Sequence, residues 1–157
     1  MRQKKLWLTT TILTTLLFMA CGKGGGTEQD SDEARRLMDV AYSNMNYDRL
    51  LTLADSLQKA GSLSDTEAFY WRGYACNRKG QKRIAEFYWE KSVNAAKDSK
   101  DAETLATYAK SASHLANLLS VGGDYEKTLK VATPVVERLE ALGCDSTSDF
   151  VNLLIYV

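Results

Sequence analysis

Residues 67–93 read EAFYWRGYACNRKGQKRIAEFYWEKSV, and they contain two helical patterns on either side of a basic turn at Gly80. In the first pattern, Phe69, Gly73 and Cys76 recur at spacings of three and four, which places them along one face of a helix. The second pattern has the same periodicity and consists of Ile84, Ala85, Tyr88, Trp89, Ser92 and Val93. An isolated helical hairpin cannot cover such faces, so this stretch predicts a protein of several packed helices.

The small residues of the hairpin predict a close approach of its two helices. Gly73 lies in the middle of the first helical pattern and Ala85 near the start of the second. Small side chains at these positions allow the two backbones to come together, while the neighbouring aromatic side chains fill the space around them. We therefore expect Gly73 and Ala85 to lie on helices that touch each other.

The composition of the whole chain agrees with one helical domain. The chain has 157 residues, a single proline and a formal net charge of +0. Removing Arg2, Lys4 and Lys5 with residues 1–20 leaves 17 basic and 20 acidic residues, a formal charge of −3. This balance argues against a nucleic-acid partner, which would select for a basic face. No long alternation of apolar and polar residues indicates a sheet.

The helical periodicity extends along the chain from residue 33 to residue 157 and predicts an all-α fold. Glycine, asparagine and serine residues between the periodic segments mark the turns. The predicted helices are Asp32–Asn44, Tyr47–Ala60, a third that starts at Ser64 or Asp65 and ends near Lys79 and Gly80, Lys82–Lys97, Ala102–Val121, Asp124–Leu142 and Asp149–Val157. Pro134 falls inside the sixth helix, where we expect a kink.

Three of the predicted helix pairs share one pattern of spacing, which small residues occupy most fully in the central pair. Gly73 is followed by Ala85 twelve residues later, by Trp89 after four more and by Ser92 after another three. The same spacing links two further sets, which are Met38, Leu50, Ala54 and Leu57, and Ala116, Thr128, Ala132 and Val135. The sequence Gly123-Asp124-Tyr125 precedes the sixth helix. Residues 33–157 therefore resemble the tetratricopeptide repeat (TPR).

This resemblance implies stacked antiparallel helical hairpins that form a TPR-like α-solenoid. In that fold the packing positions are Gly73, Ala85, Trp89, Ala116, Tyr125 and Ala132. The steps between equivalent positions depart from the usual period of about 34 residues. Met38 to Gly73 is 35 residues, and Gly73 to Ala116 is 43. We therefore expect the third unit to have longer helices or a longer connection.

A cluster of aromatic residues in the central hairpin provides candidate binding residues. We expect Tyr70 and Tyr74, four residues apart on one helix face, to line a concave groove. Aromatic surfaces of this kind bind peptides and sugars. The alternative is that the cluster only packs between neighbouring hairpins. The same hairpin has a run of basic residues that predicts a positive patch, consisting of Arg72, Arg78, Lys79, Lys82 and Arg83.

The first twenty residues have the pattern of an export signal. Three cationic residues lie within Met1–Lys5, and Leu6–Ala20 follows without a charge. The apolar run is short for a bilayer span. The sequence therefore predicts a cleaved signal peptide at residues 1–20, with an ordinary buried helix as the alternative.

The residues that follow resemble a bacterial lipobox, the cleavage site of lipoprotein signal peptidases. Ala20 precedes Cys21, although Phe18 and Met19 depart from the usual residues. The resemblance implies that Cys21 becomes a lipid-modified N-terminus, anchored in the cell envelope by acyl chains such as palmitate. The alternative is a soluble secreted protein. The glycine-rich and acidic residues 21–32 then form a flexible linker.

The chain offers little for catalysis or metal binding. His114 is the only histidine, and it has no ligand-type partner at a suitable spacing on its helix. Cys76 and Cys144 could pair in an oxidising compartment, although Cys76 is more typical of a small core residue. No catalytic motif stands out, so we predict a protein that is not an enzyme and has no cofactor.

The final residues, Phe150–Val157, form an almost continuous apolar run. Repeat arrays normally end in a polar capping helix, so this run favours a chain that is part of a longer repeat protein. The alternative is a short helix that packs back on the third hairpin and caps it.

These observations lead to three hypotheses about function. The first is a membrane-anchored scaffold outside the cytoplasm that binds a protein or peptide partner. The second is the sensor segment of a two-component kinase or another signalling protein, because some of these contain similar repeats. The third and weakest is a glycan-capturing outer-membrane lipoprotein.

Overall fold

The computed structural model describes residues 28–157, and this part of the chain is helical with short connections. Its seven helices are α1 (Glu28–Ser43), α2 (Tyr47–Ala60), α3 (Asp65–Arg78), α4 (Lys82–Ala96), α5 (Ala102–Val121), α6 (Tyr125–Ala141) and α7 (Ser148–Leu154). The all-α class expected from the sequence is confirmed for these residues. The predicted signal peptide, Cys21 and most of the predicted linker lie outside them.

Two helix boundaries differ from the sequence prediction by more than one residue. In the described part of the chain, α1 already includes residues 28–32, which the sequence assigned to the linker. Glu28 and Asp30 lie in its first turn, where negative charge interacts favourably with the helix dipole. At the other end α7 stops at Leu154, before the predicted end at Val157.

The helices pack in a regular order. Each helix contacts the next one along the chain, and α3 also contacts α5 while α5 contacts α7. The odd-numbered helices α3, α5 and α7 therefore lie side by side. Gly80 (φ 77°) and Gly123 (φ 83°) adopt the left-handed backbone conformation in the turns before α4 and α6.

The closest contact in the central hairpin joins α3 to α4. Gly73 is buried against the Trp89 indole, which is 1% exposed. A Cβ atom added to Gly73 would lie 2.5 Å from Trp89 Cδ1, so the glycine makes room for the ring. Ala85 is fully buried on the same face of α4. The predicted contact between these two helices is present.

A chain of buried hydroxyl groups connects α3, α4 and α5. Ser92 Oγ donates a hydrogen bond to the carbonyl oxygen of Thr66 and lies 2.7 Å from Ser111 Oγ. Since the single Ser92 proton is used on the carbonyl, which can only accept, Ser111 is the donor in the second bond. The Ser92 and Ser111 hydroxyl groups thus both have hydrogen-bond partners within the protein.

The residues that the repeat pattern predicts to pack between helices are almost all buried. Trp89, Ala85, Ala116 and Ala132 are at most 1% exposed. Tyr125 is different, because its side chain is 68% exposed. It is the first residue of α6 and projects into solvent there, so its predicted packing role is wrong.

Candidate binding groove

The side chains of α1, α3 and α5 surround a groove with a volume of about 310 Å³. Its lining residues come only from these three odd-numbered helices. They are Arg35 and Asp39 of α1, Glu67, Tyr70 and Trp71 of α3, and Glu103, Ala106, Thr107 and Lys110 of α5. The groove is therefore built from residues that are far apart in sequence and that the packing of the helices brings together.

Aromatic rings form one wall of the groove and extend beyond it. The rings of Tyr70 and Trp71 meet edge to face with their centroids 5.1 Å apart. Tyr42 of α1 lies across from them, with its centroid 5.7 Å from that of Trp71 and 5.2 Å from that of Tyr74. These contacts join α1 to α3 and hold the rings in fixed orientations.

The two tyrosines predicted to line a groove lie in different environments. Tyr70 lines the groove, and burial raises its pKa well above the ordinary value. Tyr74 is one turn further along α3 and lies outside the groove lining, in contact with Tyr42. Burial, followed by its interactions with Tyr42, raises the pKa of Tyr74 to about 12. Both hydroxyl groups therefore remain protonated at neutral pH.

Arg35 joins all three helices at one end of the groove. Its Nε donates to Glu67 Oε1 of α3 at 3.0 Å, and its Nη2 lies 2.7 Å from Glu103 Oε2 of α5. A third carboxylate, Asp32, lies 3.5 Å from Nη1. Glu67 is fixed in turn, because its Oε2 accepts a hydrogen bond from the Ser64 hydroxyl at 2.7 Å. This network balances the charge of Arg35 and leaves a net negative charge at this end of the groove.

The two remaining charged residues of the lining are Asp39 and Lys110. Both side chains are exposed, and neither forms an ion pair with any residue in the described part of the chain. Asp39 belongs to α1 and Lys110 to α5, so two different helices supply opposite charges to the groove lining. The sequence analysis did not identify either residue, because nothing in their local pattern distinguishes them from other exposed charges.

A second depression of about 240 Å³ lies beside His114, at the other end of α3 and α5. The imidazole stacks on the Trp89 indole with a centroid distance of 5.1 Å and an interplanar angle of 12°. Burial lowers the pKa of His114, Asp149 opposes this change and Lys110 adds to it. His114 is thus held between aromatic rings, with Tyr70 and Tyr74 each 5.9 Å away.

Within residues 28–157, no cluster of three or more histidine, cysteine or acidic side chains could hold a metal ion. Cys76 is buried and Cys144 is half-buried, and both are free thiols. Burial raises the pKa of Cys76, which disfavours its reactive thiolate form.

The predicted basic patch on the central hairpin is partly engaged by residues of α2. Arg72 is only 8% exposed and forms an ion pair with Asp55 at 2.5 Å. Arg78 donates to the Tyr47 hydroxyl, and Lys79 pairs with an aspartate of α2. The patch is therefore smaller than the sequence indicated, because α2 supplies partners to three of the five cations.

A third depression of about 520 Å³ lies on the other side of the bundle, between α4, α5 and α6. Pro134 is part of its lining, together with Tyr108 and Lys130. Tyr108 is its sole aromatic lining residue, whereas the groove between α1, α3 and α5 has two adjacent rings. The groove is consequently the better candidate site.

No helix in the described part of the chain is long and apolar enough to cross a membrane. A comparison of the sequence with protein-family models found no match. A comparison with curated proteins also found none.

Proposed function

We propose that this chain is a membrane-anchored, TPR-like scaffold that binds a protein or peptide partner outside the cytoplasm. The observation that carries the proposal is the groove between α1, α3 and α5. It combines adjacent aromatic rings with charged side chains that have no partner inside the described chain. Such a mixture of apolar contact area and a few oriented polar groups is typical of binding sites.

The order of helix contacts supports the TPR-like part of the proposal. In a stack of antiparallel hairpins, the first helix of each hairpin packs beside the first helix of the next. The contacts of α3 with α5 and of α5 with α7 follow this order. The buried small residues Gly73, Ala85, Ala116 and Ala132 lie at the matching positions.

The binding proposal is tested with a displayed library of random peptides and the purified full chain. We expect selected peptides to bind the wild type and to bind Trp71→Ala at least tenfold more weakly, because a central aromatic side chain often carries much of the binding free energy. Phe87→Ala is the matched control, since Phe87 is a 49% exposed aromatic residue of α4 outside the groove. Equal loss in both variants, or selection of no peptide, would contradict the proposal.

The anchor is proposed from the sequence of residues 1–21, which lie outside the described part of the chain. Metabolic labelling of bacteria with a fatty acid tests it directly. We expect the wild type and Cys144→Ser to incorporate label and Cys21→Ser to incorporate none, since only Cys21 follows the signal-type run. Label in Cys21→Ser would rule out this anchor.

Two other functions remain as proposals. A sensor segment of a two-component kinase or another signalling protein would use the same groove to detect its ligand. A glycan-binding lipoprotein would stack sugar rings on Trp71 and Tyr70, and a glycan array probed with the full chain would detect it. We favour a peptide because Asp39 and Lys110 supply opposite charges, which a neutral sugar does not use.

A further inference from the structure

Some charged side chains around the groove form ion pairs and others do not. This difference limits which ligands can bind there. At one end, Arg35 shares its single positive charge among Asp32, Glu67 and Glu103, so this end of the groove keeps a net negative charge. Asp39 and Lys110 form no ion pair in the described part of the chain. Besides this acidic end, a ligand in the groove therefore meets one unpaired carboxylate and one unpaired ammonium group.

These two unpaired charges come from different helices of the groove, and the aromatic rings come from a third. Asp39 is on α1, Lys110 is on α5, and Tyr70 and Trp71 are on α3. A ligand that contacts all three helices thus meets a carboxylate, an aromatic surface and an ammonium group. A complementary ligand has a positive charge for Asp39, a negative charge for Lys110 and an apolar stretch between the two.

The width of the groove sets the length of the ligand. Packed helices are ~8–10 Å apart, and the distance from α1 to α5 is between one and two such spacings because the Arg35 side chain reaches Glu103 directly. An extended chain advances ~3.3 Å per residue, so about two to six residues cover this distance. A volume of about 310 Å³ also suits a short segment better than a folded domain.

We propose that the groove binds a short extended peptide segment with a basic side chain towards Asp39, an acidic side chain towards Lys110 and apolar or aromatic residues between them. This inference rests on the proposed peptide-binding function and specifies the ligand for that site. The mixed charge of the segment is its distinguishing property. A segment with two basic ends pairs with Asp39 but places a like charge near Lys110. A segment with two acidic ends does the reverse.

The test uses three capped pentapeptides with identical apolar centres and different ends: one lysine and one glutamate, two lysines, or two glutamates. Capping removes the terminal charges, so that only side chains differ. Binding to the full chain is measured by titration calorimetry and by tryptophan fluorescence. We expect the wild type to bind the mixed peptide roughly two- to fivefold more tightly than either other peptide, which is the usual range for one exposed ion pair.

Charge swaps in the protein must change the preferred peptide in a defined way. Asp39→Lys is expected to favour the peptide with two glutamates, and Lys110→Glu the peptide with two lysines. The double swap should restore the preference for the mixed peptide. Both residues are exposed, so these variants leave the core intact. Lys59→Glu, an exposed change on α2 away from the groove, is the control for net charge and should keep the wild-type order.

The outcomes separate this inference from the proposed function. Binding that Trp71→Ala weakens, but with the same peptide order in all charge variants, would overturn the charge assignment and leave peptide binding in place. Absence of binding to all three peptides, while the displayed library still selects peptides that Trp71→Ala weakens, would also overturn only this inference. Binding that is indifferent to Trp71→Ala would overturn both. A preference that also shrinks between 0.05 and 0.5 M salt would agree with the ion-pair origin.

Discussion

Single residues of this protein connect local structure to tertiary structure, and Glu67 is the clearest case. One of its carboxylate oxygens accepts hydrogen bonds from the Ser64 hydroxyl and, at 3.3 Å, from the Ser64 backbone nitrogen, which completes the N-terminal cap of α3. The other oxygen accepts from Arg35 Nε on α1. The Glu67 side chain thus caps the start of α3 and also holds α1 through Arg35. These two sets of contacts together fix the position of the carboxylate.

Gly73→Ala is expected to destabilise the protein. Alanine would gain ~1 kcal/mol of intrinsic helix preference over glycine. However, its Cβ would lie 2.5 Å from Trp89 Cδ1, and overpacking of a buried ring costs ~1–3 kcal/mol. We expect denaturant titration to show a lower free energy of unfolding. Combining Gly73→Ala with Trp89→Phe should cost less than the sum of the two single changes. Strict additivity would show that the ring does not limit this site.

His114 is expected to make stability depend on pH below neutrality. Burial lowers its pKa from the ordinary 6.5, a change that Asp149 opposes and Lys110 reinforces. As the pH falls through 6.5, the unfolded chain takes up the proton more readily than the folded chain, so stability is full above pH 6.5 and decreases below it.

Urea titrations at pH 7.5 and 5.5 measure this dependence. His114→Phe preserves an aromatic ring against Trp89 and cannot titrate, so its stability should fall less between the two pH values than that of the wild type. If both proteins lose the same amount, other groups are responsible.

At the level of the helices, local sequence signals decide where each element begins. Five of the seven described helices have a side-chain cap, supplied by Asn46, Ser64, Asp101, Asp124 and Thr147. The predicted bounds Tyr47–Ala60 and Ala102–Val121 are correct, and each of these helices begins at a side-chain cap that acts within one turn. The end of α7 was wrong, because periodic apolar residues alone do not specify where a helix stops.

Ser64→Ala is expected to weaken α3 at its first turn. The substitution removes the acceptor for the Glu67 backbone nitrogen and one donor to the Glu67 carboxylate. Loss of an N-cap costs ~1 kcal/mol, within a range of about 0.5–2. Chemical denaturation should show this loss for Ser64→Ala and a much smaller one for Ser64→Asp, which keeps an acceptor. Equal losses would mean that the cap contributes little.

At the level of the whole molecule, α1 is the least supported of the helices at the groove. Its backbone packs against α2, whereas α3 and α5 each contact several other helices. The contact of α1 with the rest of the groove depends on side chains, namely the Arg35 ion pairs and the ring of Tyr42. Loss of these contacts would open the groove without unfolding the central hairpin.

Arg35→Ala is therefore expected to increase the local opening of α1. In hydrogen exchange followed by mass spectrometry, the amides of α1 should exchange several-fold faster than in the wild type, while those of α4 stay unchanged. Arg36→Ala is the matched control, because Arg36 is an exposed neighbour whose ion pair at 3.8 Å lies within α1. Faster exchange throughout the protein would instead indicate global destabilisation.

The sequence by itself determined that the described chain is all-helical, that its helices form consecutive pairs and that Gly73 lies at a close contact. These features depend on interactions between residues that are near in sequence, which periodicity, caps and small residues report directly. Only the tertiary structure decided that Arg35 joins α1 to α3 and α5, that His114 stacks on Trp89, and that Asp39 and Lys110 face one groove. The physical reason is that spacing along a helix shows which residues share a face. The meeting of faces from different helices depends on how all of them pack.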